Sequence, residues 1–266
     1  MIHCYLKGGL GNMFFQIAAT ESFAIDAKTY ASYPNLDTHL NYLNSDNRHN
    51  PSLKHSLTYK EILPGLSSMA PLDFKLNTIS FPFTYKKINV SDHNIVDGFF
   101  QSEKYFVHNR DVVLMKLGPQ KHITEVIDNK YGELLKERTT SIHIRRGDYV
   151  NHPNHHPTQT IEYYHQAVEL LKEKTDKFLI FSDDINWCKS NLNIDNSVYI
   201  DNEKDYIEIY LMARCDNNII ANSSFSWWGA WLNTNENKIV VGPKNWLGSA
   251  IKENTEDIIP ETWVKI

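Results

Sequence analysis

The sequence predicts an α/β fold of two lobes, and three observations carry the prediction. From Thr139 onward, short runs rich in β-branched and aromatic residues alternate with amphipathic stretches of helical length. Strands alternating with helices make right-handed βαβ units and therefore a parallel sheet, here a doubly wound one. The chain also opens with such a unit: an apolar run at 2–6, a glycine-rich turn at 7–12 and a helical pattern over 13–27. Finally, 266 residues, 41% of them hydrophobic, suffice for one large core or two compact ones.

In order, Ile2 to Leu6 reads as the first strand. Lys7-Gly8-Gly9-Leu10-Gly11-Asn12 turns into a helix with Phe14, Ile17, Ala18 and Phe23 among its apolar positions. Strand, glycine turn and helix present backbone N–H groups and a positive helix end to an anion. The spacing is neither the dinucleotide fingerprint nor a Walker loop, and a plain tight turn explains it as well. Residues 28–100 carry the weakest pattern, with a helical piece near 54–63 and short strands near 83–88 and 94–99. From Asp97 to Phe106 a strand end gives way to a helix capped by Ser102. The aromatic residues there suit a sugar-binding floor or a corner of the core.

The second half is regular. Strands are expected at 140–145, 178–181, 197–200, 218–221 and 238–241. Helices are expected at 160–174, 185–192, 203–214 and from Asn222 on. Tyr164, Ala167, Val168 and Leu171 share one helix face, and Tyr206, Ile209, Tyr210 and Ala213 another. The expected lobes are 1–138 and 139–250, with 251–266 a tail packing back on them and a ligand between the lobes.

A net charge of -5 argues against general nucleic-acid binding. Cys4, Cys188 and Cys215 are too few and too scattered for a disulfide framework or zinc knuckle, which fits a reduced compartment. No export signal opens the chain and no apolar run approaches ~18 residues, so a cytoplasmic location is expected, with peripheral contact at the inner membrane face left open. His152, His155, His156 and His165 match no zinc spacing, and the run 152–157 reads as a flexible loop. These histidines are not expected to hold a metal or a cofactor.

Three strand ends carry the chemistry. The central one is Ser141-Ile142-His143-Ile144-Arg145-Arg146-Gly147-Asp148-Tyr149-Val150. Successive strand residues point to opposite faces, so Arg145 shares a face with His143 and Arg146 does not. Both emerge at the carboxyl end of a strand, where open α/β sheets bind ligands. Arginine, planar and always charged, suits a diphosphate. Gly147 permits a tight exit, and Asp148 either orients Arg145 or takes a proton. The second end is Ser182-Asp183-Asp184, whose carboxylates suit the N–H edge of guanine, a divalent ion beside a diphosphate, or a helix cap. The third is Asn222-Ser223-Ser224-Phe225-Ser226, where hydroxyls and free N–H groups gather at a helix start and form an anion cradle.

Taken in order, Gly8-Gly9-Leu10-Gly11-Asn12, Phe100-Gln101-Ser102-Glu103-Lys104-Tyr105, His143-Ile144-Arg145-Arg146-Gly147-Asp148-Tyr149, Phe181-Ser182-Asp183-Asp184 with Trp187-Cys188, and Asn222-Ser223-Ser224-Phe225-Ser226-Trp227-Trp228-Gly229-Ala230-Trp231 resemble the α-1,2-fucosyltransferases of glycosyltransferase family 11 in a short bacterial form. The resemblance spans nearly the whole chain and is loosest over 28–95. One departure stands out: the family pattern Gly-Asn-Gln is here Gly11-Asn12-Met13.

The resemblance implies two Rossmann-like lobes facing a cleft, the glycosyltransferase B fold, with the N-terminal lobe on the acceptor side. It implies an inverting, metal-free transfer of L-fucose from GDP-fucose to the 2-hydroxyl of a terminal β-galactoside. By it, His143 and an aspartate of the Asp183-Asp184 pair would hold guanine, with Ser182 and Asn222 beside them. Arg145 and the Ser223-Ser224-Phe225 helix start would hold the β-phosphate, and Gly9, Gly11 and Asn12 would lie near the diphosphate or fucose. Gln101, Glu103 and His152 are candidates for the acceptor, and Arg145 and Asp148 for the chemistry. A group aimed at the phosphate where charge develops stabilises the transition state by roughly 3 kcal/mol, about a hundredfold in rate. Oligomeric state is not legible in the sequence.

Overall fold

The computed structural model describes residues 1–45, 57–71 and 76–266. It divides into two compact units. One takes in the described residues up to Gly118 and the returning stretch Glu253–Pro260. The other takes in Pro119–Lys252 and Glu261–Ile266. The division falls at 118/119 rather than 138/139 because the helix Lys121–Tyr131 joins the second unit. Asp128 pairs with Arg214 at 3.0 Å, and Tyr131 donates to Glu203 at 2.8 Å.

The first unit is built on a parallel sheet. Its strands are β1 (Ile2–Cys4), β2 (Ala31–Ser32), β3 (Asn77–Ser80) and β4 (Asn94–Asp97), in the order β2-β1-β4-β3. Helix α1 (Leu10–Asp26) connects β1 to β2, and starts earlier than Met13 because Gly9 serves as its N-cap. Helices α2 (Leu36–Ser45), α3 (Tyr59–Ile62) and α4 (Arg110–Leu117) complete the unit. Of the helix expected near 54–63, residues 54–56 lie outside the described residues, and Tyr59–Ile62 is helical.

The strand expected at 83–88 forms instead at Asn77–Ser80. Tyr85 bonds the tail through its N–H to Asp257 Oδ2 at 3.1 Å. Past Ser102 the chain makes 3-10 turns at Glu103–Tyr105 and Val107–Asn109 before α4, with Ser102 capping the first. The aromatic residues there form a corner of the core. Phe23, Phe81, Phe100 and Tyr105 are buried, with Phe81 and Phe100 ring centroids 4.9 Å apart.

The second unit holds helix α5 (Lys121–Tyr131) and a six-stranded sheet, every pairing parallel. Its strands are β5 (Thr139–Ile144), β6 (Lys177–Ser182), β7 (Ser197–Tyr199), β8 (Asn217–Ile219), β9 (Val240–Gly242) and β10 (Val264–Lys265), ordered β10-β9-β8-β5-β6-β7. The short, exposed β10 carries no periodicity to find in the sequence. Helices α6 (Ile161–Leu171), α7 (Ile185–Asn191), α8 (Asp205–Arg214) and α9 (Ser224–Trp231) link the strands.

Ile142 and Ile144 of β5, Phe178 and Ile180 of β6, and Tyr164, Ala167 and Leu171 of α6 share one core. Tyr206, Ile209 and Tyr210 of α8 are buried as expected, while Ala213 is half-buried. Trp227, Trp228 and Trp231 are at most 1% exposed, which fixes α9 and therefore its N-terminus. The chain steps outward from β5 to β6 and β7, then returns to the other side of β5 with β8. The strand order thus reverses between β5 and β8, and ligands of open α/β sheets bind at such a point, outside the carboxyl ends.

Candidate active site

At the reversal, β5 delivers His143, Arg145 and Arg146. Strands β5 and β6 run in register, with Ile144 opposite Ser182. The next residues on each strand therefore meet as ion pairs. Arg145 Nη1 lies 2.6 Å from Asp183 Oδ2, and Arg146 Nε donates to Asp184 Oδ2 at 3.0 Å. The Arg146 backbone N–H also donates to Asp183 Oδ1 at 2.8 Å, and its guanidinium stacks 3.8 Å from the centre of the Trp187 ring. Arg146, turned away from His143, is thus a structural clasp.

Arg145 also donates from Nη2 to Asp148 and lies 5.2 Å from the centre of the Tyr149 ring. Burial disfavours its charge, but Asp183 and Asp148 outweigh that and raise its pKa. The 3-10 turn Gly147–Asn151 allows this crowding because Gly147 has no Cβ, and one built there would stand 2.4 Å from Asp183 Oδ2. Asp148 is thus paired with Arg145. Asp184 is both an ion-pair partner and the N-cap of α7, accepting from Trp187 N at 3.2 Å. Ser182 Oγ accepts from Asp184 N at 3.0 Å.

Across the reversal, Ser223 caps α9, its Oγ accepting from Phe225 N at 3.4 Å. First-turn N–H groups have no intrahelical partner and carry the positive end of the helix dipole. The Phe225 ring meets the His143 ring with centroids 5.4 Å apart, and Tyr149 OH donates to Asn222 O at 3.2 Å. The β5 and β8 exits are thereby tied together, with Arg145, His143, Ser223, Ser224 and Phe225 gathered at one place. His143 is buried. Burial, with the nearby Arg145 charge, pushes its pKa down to about 3, and its Nδ1 has no partner. Asn222 is also buried, and its Nδ2 donates to Pro157 O and Trp246 O, both at 2.9 Å, so it anchors neighbouring loops.

The 152–157 segment, expected to be flexible, is held in place. Gly248 N donates to His155 O and Ala250 N to Asn154 O, both at 2.9 Å, and His156 stacks on Tyr149 at 5.0 Å. A Cβ on Gly248 would stand 2.3 Å from Asn154 O. His152 itself is exposed.

In the other unit, the turn after β1 is shaped by two side-chain amides that stand in for missing strand partners. Asn35 bonds the N–H and C=O of Leu6, both at 2.8 Å, and Gln16 bonds those of Lys7, both at 2.9 Å. Gly8 follows at φ 78, where a Cβ would stand 2.4 Å from Asn12 Nδ2. Gln101 Nε2 donates to Asn12 Oδ1 at 2.7 Å, while its Oε1 is buried without a partner. Gly9, Gly11, Asn12 and Gln101 are thus one cluster, and Glu103 lies half-buried beyond it on the first 3-10 turn. Met13, where the family pattern has glutamine, is fully buried in the core.

The family model of Glycosyl transferase family 11 matches residues 74–266. The chain is 33% identical to an alpha-1,2-colitosyltransferase of Escherichia coli, over 98% of this chain and 97% of that protein. It is 29% identical to the O-antigen biosynthesis glycosyltransferase WbnK of Escherichia coli, over 98% of this chain and 99% of that one. The crystal structure of NodZ alpha-1,6-fucosyltransferase soaked with GDP-fucose superposes with a TM-score of 0.53 at 14% identity, covering 87% of this chain and 92% of that one, a likeness of fold. Among the described residues no helix is long and apolar enough to cross a membrane. The fold is of the glycosyltransferase B class, and the chain belongs to glycosyl transferase family 11.

Proposed function

We propose that this glycosyltransferase moves L-fucose from GDP-fucose to the 2-hydroxyl of a terminal β-galactoside, with inversion and without a metal ion. The observation that carries the reading is the convergence of Arg145 and the start of α9 at the strand reversal of the second unit. One fixed cation and one set of N–H donors there suit a diphosphate.

In the reaction the acceptor hydroxyl attacks the fucose anomeric carbon from the face opposite GDP. The bond from that carbon to the β-phosphate oxygen breaks, its electron pair leaves with GDP, and the hydroxyl proton is released. An oxocarbenium-like state lies between. Charge grows on the β-phosphate, where Arg145 and the α9 N–H groups stabilise it more than in the ground state. This is the work a divalent cation does in other transferases. Asp183 and Asp184, the carboxylates nearest the diphosphate in this reading, are held by Arg145 and Arg146. That pairing favours the metal-free route. Asp148 keeps the Arg145 fork in place.

A second reading concerns the donor. The similarity to a protein named an alpha-1,2-colitosyltransferase favours colitose in place of fucose as the sugar moved. Donor profiling with a β-galactoside acceptor tests both. Faster turnover of GDP-fucose, with an α-linked fucose at the 2-position, supports the first reading. Faster turnover of GDP-colitose supports the second.

A further inference from the structure

The aromatic residues of 97–106 suit either a sugar-binding floor or a corner of the core, and the fold divides them between the two. Phe100, Tyr105 and Phe106 are buried, while Phe99 is half-buried. Side chains beyond β4 still alternate between two faces. A Cβ on Gly98 would stand 2.9 Å from Phe81 Cβ and 3.3 Å from Phe100 Cζ, so Gly98 and Phe100 turn to the core. Asp97 and Phe99 turn the other way, and both meet Lys7. Lys7 Nζ donates to Asp97 Oδ1 at 2.7 Å and lies 4.9 Å from the centre of the Phe99 ring. Phe83, also half-buried, joins them with its ring centroid 6.4 Å from that of Phe99.

These residues come from three neighbouring strands of the first sheet. Lys7 lies just past the end of β1, Asp97 ends β4, and Phe83 lies just past the end of β3. Open parallel sheets take their ligands at such carboxyl ends. The group is also set in place. Gln16 bonds the backbone N–H and C=O of Lys7, both at 2.9 Å. Next to Phe83, Thr84 Oγ1 donates to Asn254 O at 3.0 Å and Tyr85 N donates to Asp257 Oδ2 at 3.1 Å. The Lys7 and Asp97 side chains are 40% and 51% exposed, and an ion pair so exposed contributes little to stability. What it does supply is donors and acceptors beside two aromatic rings. A flat apolar surface edged by a few fixed polar groups is the make-up of a sugar site.

In a β-galactoside the axial 4-hydroxyl gathers the C–H groups at positions 3, 4 and 5 on the opposite face. In a glucoside the C–H at position 4 points to the other face instead. We propose that Phe83 and Phe99 stack on the apolar face of the acceptor galactose while Lys7 and Asp97 bond its hydroxyls, which makes this end of the first sheet the acceptor-sugar subsite. The proposal deepens the reading of the acceptor as a terminal β-galactoside and rests on it.

The test is saturation-transfer NMR of the full chain with lactose and with cellobiose, both without donor, followed by steady-state kinetics with lactose as acceptor. The wild-type chain is expected to bind lactose in preference to cellobiose, which ends in glucose. Phe83→Leu and Phe99→Leu keep apolar bulk and lose the flat ring. Each is expected to raise the KM for lactose about tenfold, the loss of one ring stack, and to leave the KM for GDP-fucose within about twofold. Phe83→Tyr, which keeps the ring, is expected to hold the KM for lactose near the wild-type value. Leucine variants with an unchanged KM for lactose overturn the proposal. So does a rise shared equally by the KM for GDP-fucose, and so does a wild-type chain that binds the two disaccharides equally. A wild-type chain that binds neither disaccharide removes the β-galactoside reading itself, and the subsite with it, a result distinct from the others.

Discussion

Arg145 meets Asp183 because β5 and β6 run in register: Ile144 faces Ser182, and one residue further on Arg145 Nη1 lies 2.6 Å from Asp183 Oδ2. The next pair, Arg146 and Asp184, follows from the same register. A parallel pairing fixed by apolar residues in the sheet thus sets a charged cluster just beyond it. Arg145 is held by two carboxylates on different segments, so its guanidinium is placed before any ligand arrives, and pre-placed charge is the kind that lowers a barrier.

Replacing Arg145 should therefore damage turnover more than binding. Arg145→Ala is expected to lower kcat by about a hundredfold or more with GDP-fucose. Arg145→Lys should recover little, because one ammonium cannot bridge Asp148 and Asp183 while facing a phosphate. Steady-state kinetics of both variants check this, and near-normal turnover in either removes Arg145 from the chemistry.

Gly147→Ala tests the crowding directly. The new methyl would stand 2.4 Å from Asp183 Oδ2, so the carboxylate must move and the Arg145–Asp183 pair must loosen. We expect a loss of at least about tenfold in kcat/KM and a fall of a few degrees in Tm. A variant with wild-type kinetics would show that the clasp does not govern the reaction.

Gln16→Leu addresses the turn of the first unit. The amide satisfies both backbone groups of Lys7 from a fully buried position, and leucine satisfies neither. Stability should fall by about 2–4 kcal/mol, as for two partly buried backbone groups left unpaired. Chemical denaturation measures it, and a change under about 0.5 kcal/mol would mean that water replaces the amide.

Buried His143 and half-buried Glu208 give opposite dependence of stability on pH. Burial, helped by Arg145, pushes the His143 pKa down to about 3, so the unfolded chain takes up the proton first. The stability tied to neutral His143 is complete above about pH 6.5 and is lost as the pH falls toward 3. Its NMR ring signals should not titrate between about pH 5 and 8. Glu208 is pushed up, by burial first and then by Asp205, Glu203, Asp183 and Asp201. The wild-type chain thus loses stability as pH rises above the ordinary carboxylate value. The Tm advantage of Glu208→Gln should grow from pH 5 to pH 8, and an advantage independent of pH would contradict the assignment of that penalty to its charge.

From β5 to β9 the order of strands and helices in the second unit was legible because each element there carries its own period and the ends of β5, β6 and β8 their own polar clusters. Most expected helix and strand ends there lie within a few residues of those observed, as over Ile161–Leu171 and Lys177–Ser182. What failed depended on distant partners. The strand expected at 83–88 gave way to Asn77–Ser80, which pairs with β4, and α5 went to the second unit through pairs with Arg214 and Glu203. His143, Arg145 and the 223–225 helix start were readable as strand-end residues. The spending of Asp183 and Asp184 on arginines was not, because it follows from register between strands far apart in sequence.

In the proposed reaction, Arg145 and the start of α9 stabilise the leaving diphosphate in place of a metal ion. The measurement that tests it most directly is GDP release from GDP-fucose in the presence of a β-galactoside and excess EDTA, for the wild-type chain and Arg145→Ala, with mass analysis of the acceptor. Full wild-type turnover in EDTA, a fucose-sized mass gain and about a hundredfold loss in the variant are expected. Turnover that stops in EDTA and returns with manganese or magnesium would contradict it.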